Sequence, residues 1–326
     1  MMAAATIGLF VQLGLTAGAG FLARKALEGV PRGAGLAARG RFLLNRLVLW
    51  GTLPALVFQT VQAAPLGPDL VQAPAVAVAG MAGTVLVAWA LLARLHGQTP
   101  QTGGLVLAAS AGSVSFFGIP LARAVFGPDA ARVAVYFAVL NVPLALLCGA
   151  LLSSRIARAA AGDRLTRGAA AYVMRHLLRQ FFTLPATWAV VAGLALHGVS
   201  LPADVTWTLD GLARTVAPTT MFALGLGLRF ERALAPYRMA LPAVAIKLAV
   251  SPAVVVACAW VAGLSGLPLA VVALQGAMPT QVLSVVVAER YRLDARLVGL
   301  TLALDTALAF VLLPLVLAAV GAGTTA

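Results

Sequence analysis

Two short stretches hold most of the residues with chemistry to offer in an otherwise apolar chain. One reads Ser110-Ala-Gly112-Ser113-Val-Ser115-Phe-Phe-Gly118-Ile-Pro120, the other Gly276-Ala-Met-Pro279-Thr280-Gln281. The hydroxyls of Ser113, Ser115 and Thr280 and the amide of Gln281 are uncharged hydrogen-bond donors. The glycines and prolines among them break helix, at about 1 kcal/mol for Gly and about 3 kcal/mol for Pro in a helix interior. A spanning helix that breaks frees backbone groups, which must be buried in protein or line a wet cavity. Its second half then begins at mid-depth, presenting N–H groups and a dipole end worth about +0.5 charge. Two such ends facing each other favour an anion such as a carboxylate, without a fixed basic side chain. Ser113, Ser115, Gly118, Pro120, Pro279, Thr280 and Gln281 are therefore candidate substrate-binding residues. Their plainer use is to satisfy freed carbonyls and hold helices together.

Asn141 joins this set from the middle of another apolar stretch, with a helix-to-helix hydrogen bond as its other use. Lys247 and Asp305 are charges inside apolar stretches, where insertion costs about 2.5–3.5 kcal/mol each. Each sits about nine residues, at 1.5 Å per residue, from the same end of its stretch, so they share a depth and can pair. They are a candidate coupling ion pair, set against a lysine that snorkels to the surface and a carboxyl buried alone. Asp210 and Arg214 have the i,i+4 spacing of a surface salt bridge, and Thr219 and Thr220 follow Pro218 at an expected kink. No catalytic constellation is visible. His96, His176 and His197 are far apart, and Cys148 and Cys258 lie in apolar runs as packing residues. Nothing has metal-ligand spacing, and Gly18-Ala-Gly20 lacks the third glycine and the strand of a nucleotide loop. No enzyme activity, cofactor or metal is expected.

The elements that must position these residues follow from composition. The 326 residues are 61% hydrophobic and 10% charged, against about 25% charged in soluble domains, so the whole chain belongs in a membrane. A span needs about 20 apolar residues, and ten stretches qualify: about 4–23, 43–62, 73–93, 103–122, 133–153, 180–198, 206–228, 239–263, 267–288 and 297–320. The start has no basic n-region and reads as the first span rather than a cleaved signal. With the N-terminus outside, nineteen of the twenty-three basic residues fall in inside loops. Outside loops receive only Arg123 and Arg132, while Arg214 and Lys247 lie within spans. The positive-inside rule thus predicts ten spans with both termini outside, and accounts for the net charge of +13 without nucleic acid. The excess of Arg over Lys, 21 to 2, suggests a GC-rich bacterial genome, and the expected location is a bacterial inner membrane.

Five spans per half make the second half enter the membrane in the opposite direction, the mark of an inverted repeat. A shift of 165 residues lays Phe126-Gly-Pro-Asp129-Ala-Ala-Arg132 on Tyr291-Arg-Leu-Asp294-Ala-Arg-Leu297. The predicted fold is an all-α polytopic membrane protein of two inverted five-helix repeats, 1–152 and 180–326. Helices 4 and 9 are broken near mid-depth, and residues 153–179 form a basic amphipathic cytoplasmic linker.

Leu53-Pro54-Ala-Leu-Val-Phe58, Phe117-Gly118-Ile119-Pro120-Leu121 with Phe126-Gly127, and Ala277-Met-Pro279 with Ala288-Glu-Arg-Tyr291 resemble the auxin efflux carrier family. So does Asp305-Thr306 followed by Leu312-Leu313-Pro314-Leu315. The family includes plant PIN-type exporters and bacterial malonate-type carriers, and the resemblance covers nearly the whole chain. It implies the fold of the bile-acid symporter group, in which the broken helices 4 and 9 cross, with a mobile transport domain working against a scaffold in an elevator-like movement. It also implies a homodimer as a common assembly and an Asn at the position of Asn141. The sequence departs from the family where Ser113 stands for an expected Asn before Gly-x-Pro, and where Leu283 stands for another after Pro279. The expected function is a secondary transporter, exporter or permease, of a small organic anion in the lipid bilayer. A sodium-coupled organic-anion symporter is the alternative, with Gln275, Gln281 and Asn141 as its candidate ligands. A non-transporting membrane sensor is another, for which no attached signalling domain is visible.

Overall fold

The computed structural model describes residues 2–31, 33–63, 67–161, 175, 182–183, 185–228 and 235–323. The first helices are α1 (Met2–Glu28), α2 (Gly33–Leu47), α3 (Leu53–Ala63), α4 (Asp69–His96) and α5 (Pro100–Ser110). Then come α6 (Ile119–Phe126), α7 (Pro128–Ala138), α8 (Asn141–Ala161), α9 (Pro185–Ala195) and α10 (Ala203–Gly227). The last five are α11 (Ala235–Ala245), α12 (Ser251–Val261), α13 (Gly266–Gly276), α14 (Leu283–Arg290) and α15 (Ala295–Gly323). A helix lies over each of the ten apolar stretches. Among the described residues, five runs are long and apolar enough to cross a bilayer: Gly35–Ala63, Asp69–His96, Pro128–Ile156, Ala235–Val261 and Ala295–Leu313. Most of the expected linker helix, residues 153–179, lies outside the described residues; α8 continues through its first part to Ala161.

Among the described residues, three π turns interrupt the helices, at Val48–Thr52, Val114–Gly118 and Ile246–Val250. Each ends two residues before a proline: Pro54, Pro120 and Pro252. The cause is local. Proline has no N–H and its ring clashes with the carbonyl four residues back, so the turn before it widens to i→i+5 bonding. The bonds that close these turns run from Leu53, Ile119 and Ser251 to the carbonyls of Val48, Val114 and Ile246. The chain thus bends without ending at α2–α3 and α11–α12. Around Val114–Gly118 it is broken as well, because Ala111–Ser113 leave helical geometry.

The helices fall into two packed groups. In one, α10 packs on α1, α2 and α3, and α9 on α3; the other holds α4–α8 and α11–α15. In the first group the approach is close enough to be set by glycine. A Cβ on Gly20 would lie 2.2 Å from the Phe222 carbonyl oxygen, and one on Gly225 would lie 2.0 Å from that of Ala17. Small residues that let backbones meet are the usual adhesive between helices in lipid. Between the groups, Arg123 at the end of α6 lies 3.9 Å from Asp210 on α10, both partly exposed. This corrects the expected Asp210–Arg214 pair: the α10 carboxylate faces the other group rather than its own helix. The Thr220 hydroxyl donates to the Val216 carbonyl at 2.6 Å, and the helix runs unbroken through Pro218.

Gly225→Val should separate α1 from α10 at an overpacking cost of about 1–3 kcal/mol. A thermal-unfolding midpoint in detergent unchanged from wild type would contradict this packing.

Candidate functional site

The two broken segments meet in the interior. Ala111–Ser113, after α5, runs antiparallel to Pro279–Gln281, after α13, and Gly112 and Thr280 pair as an isolated β-bridge. Ser113 N–H donates to the Pro279 carbonyl at 2.7 Å, and Gln281 N–H to the Ala111 carbonyl at 3.0 Å. Backbone groups freed by each break are thus taken up by the other. A buried polar group left unpaired would cost about 1–3 kcal/mol, so two broken helices are cheaper together than either alone. In the sequence expectation the N–H groups at the half-helix starts face an anion; here those of Ser113 and Gln281 pair with the opposite segment.

Side chains complete the junction. Asn141, at the start of α8, donates through Nδ2 to the Gly112 carbonyl and to Gln281 Oε1, both at 3.0 Å. Asp305 Oδ2 on α15 accepts the Thr280 N–H at 2.9 Å. The Thr280 hydroxyl reaches the same oxygen and, at 2.9 Å, the Ala108 carbonyl, so its one proton is shared between them. Lys247 lies in the π turn Ile246–Val250 and is 1% exposed, so it does not snorkel. Its ammonium donates to Ser251 Oγ at 3.4 Å, and that hydroxyl donates to the Gly276 carbonyl at 3.3 Å. Lys247 and Asp305 therefore share the junction, each bonded to a different partner.

The structure brings Ser113, Asn141, Lys247, Pro279, Thr280, Gln281 and Asp305 together. Ser115, Gly118 and Pro120 stand further along, toward α6. Ser115 lines a cavity of about 20 Å³ with Leu53, Val57, Phe116 and Ile119, between the two helix groups. Gly118 is where Gln275 rests: a Cβ there would lie 1.8 Å from Gln275 Oε1. Gln275 Nε2 in turn donates to the Ala134 carbonyl at 3.3 Å. Ser251 escaped sequence reasoning; its position four residues after Lys247 and just before Pro252 was the available signal. A second cavity of about 30 Å³ adjoins Lys247, Asn141 and Gly112, room for a water or two. A larger one, about 380 Å³, lies between the groups and is lined by Arg41, Gly227, Glu289 and Arg296 among others. Among the described residues, no three His, Cys, Asp or Glu side chains gather as a metal would require.

Long apolar helices around a buried polar junction of two broken segments define a multi-pass membrane carrier. Residues 9–317 match the family described as Membrane transport protein, the auxin efflux carrier family, and the chain belongs to it. An uncharacterized transporter of Methanothermobacter thermautotrophicus is 28% identical over 277 residues, 83% of this chain and 86% of that protein. An uncharacterized transporter of Methanocaldococcus jannaschii is 22% identical over 282 residues, 84% and 87% of the two chains. The protein is thus a membrane transporter and not an enzyme.

Asp305→Ala should strand the buried Thr280 N–H at a cost of about 1–3 kcal/mol. Asp305→Asn keeps an acceptor oxygen and should cost less. Equal thermal midpoints for the two variants would show that the Thr280 contact does not set stability.

Proposed function

We propose that the chain is a secondary transporter of a small organic anion, a carboxylate, working by elevator-like alternating access around the junction of the two broken helices. The observation that carries this is the bridged crossing of Ala111–Ser113 with Pro279–Gln281, which makes one rigid polar unit from both halves of the sequence. In this reading the chain spans ten times, as inverted repeats 1–152 and 180–326 joined by the linker 153–179. Both termini lie outside, in a bacterial inner membrane. The helix pairings support the repeat, because each has a counterpart in the other half. α1 on α10 matches α9 on α3; α4 on α5 matches α12 on α13; α6 on α7 matches α14 on α15; and α5 on α15 matches α13 on α7.

The two helix groups supply the scaffold and the moving body. The cavity of about 380 Å³ between them, lined by Arg41 and Arg296, lies on the side that the charge distribution makes cytoplasmic, and is large enough for a small organic acid. The two half-helix starts are not equivalent. Asp305 already takes the Thr280 N–H of the second crossing segment. The start of the other half, at Val114–Ser115, opens on a cavity lined by no carboxylate among the described residues. We place the substrate carboxylate there, donated to by backbone N–H and Ser115. At about 20 Å³ the cavity is closed in this conformation, and parting of the two groups is what opens it.

Flux of candidate mono- and dicarboxylates into proteoliposomes is the direct test. Ser115→Leu should lower flux about tenfold or more, equal to about 1.4 kcal/mol, with the protein still folded by size exclusion. Neither flux nor thermal stabilisation by any organic acid tested would sink the proposal.

A further inference from the structure

Carbonyl ends of two helices converge on one buried lysine. α5 stops at Ser110 and α13 at Gly276, and each end carries a dipole charge of about −0.5 together with carbonyls that have no partner within their helix. Lys247 Nζ sits between them. It would lie 3.0 Å from a Cβ on Gly112, just past the end of α5. Through Ser251 Oγ, 3.4 Å away, it reaches the Gly276 carbonyl that ends α13. Asn141 binds the Gly112 carbonyl from the other side. Among the described residues, none of the side chains lining the adjoining cavity is a carboxylate. The negative features around it are the two helix ends and, across the junction, Asp305, whose charge acts on Lys247 without a direct bond among the described residues.

We infer that Lys247 is a built-in cation, its ammonium filling the place at the carbonyl ends of α5 and α13 that a free monovalent cation would otherwise occupy. Several features favour this over a counter-charge for the substrate. The cavity beside the ammonium, about 30 Å³, takes a water or two but no carboxylate. An anion belongs at N–H ends, and the ammonium stands at the carbonyl ends. The π turn before Pro252 bends the chain at Lys247 itself, which places a long side chain on the junction rather than on lipid. The Ser251 hydroxyl accepts from the ammonium, and Asn141, Gln275 and Gly276 line the same cavity; hydroxyl, amide and carbonyl groups are the kind a monovalent cation takes.

The consequence for transport, that flux needs no inorganic cation, rests on the carrier reading above. The site itself is tested without substrate, so the two stand or fall apart. Full-length protein in detergent is melted in sodium, potassium or N-methylglucamine chloride at equal ionic strength. Wild type should melt at the same temperature in all three. Lys247→Ala, which empties the place, should gain about 3 °C or more in sodium or potassium over N-methylglucamine. Propylammonium chloride should stabilise this variant in the same way, and propanol should not. A variant indifferent to all these cations, or stabilised equally by propanol, overturns the inference. So does wild type stabilised by sodium, a measurement that stands even where the variant does not fold.

Discussion

Backbone that leaves helical geometry inside a membrane has to find new partners, and here it finds them in a second break. The Ser113–Pro279 and Gln281–Ala111 bonds are two short strands' worth of pairing between segments about 165 residues apart in sequence. Neither break is tolerable without the other. That mutual need fixes where α5, α6, α13 and α14 begin and end. It also explains why the remaining polar side chains collect there: Asn141, Thr280 and Asp305 take up carbonyl and N–H groups that the two-residue pairing leaves over. The surrounding helices are apolar because the polar work is confined to this one place.

The buried charges obey the same constraint. A lone charge in the membrane interior is costly, and each of these two meets backbone polarity of the opposite sign. Asp305 accepts a peptide N–H, and Lys247 donates to the Ser251 hydroxyl, which in turn donates to the Gly276 carbonyl. No direct bond joins the two among the described residues, and their charges act on each other across the junction. The π turn that carries Lys247 and the helix α15 that carries Asp305 thus bring both charges to the junction, each with its own hydrogen-bond partner.

Much of this was legible in the sequence. Apolar length gave the helices, and Gly112, Pro120, Gly276 and Pro279 located the breaks, because helix breaking is a property of the local residue. Depth from the helix ends put Lys247, Asp305 and Asn141 near the same level. Pairing was less legible. Nothing local says that Ser113 N–H will meet Pro279 rather than a ligand, or that Thr280 will hold Asp305. The i,i+4 spacing pointed Asp210 to Arg214, whereas tertiary packing gave it Arg123, 87 positions earlier in the chain. The widened turns before Pro54, Pro120 and Pro252 follow from proline geometry, but only the structure shows the chain continuing through two of them.

The contact between Arg123 and Asp210 has a kinetic side. At 3.9 Å and partly exposed, such a pair contributes about 0–1 kcal/mol, close to thermal energy. A strong latch between the two helix groups would add its own strength to the barrier for separating them. This one adds almost nothing, and water re-solvates both ends as it opens. Its remaining attraction is shielded by salt over about 10 Å at 0.1 M, which makes ionic strength a control on how often the groups part rather than on how firmly the protein is folded.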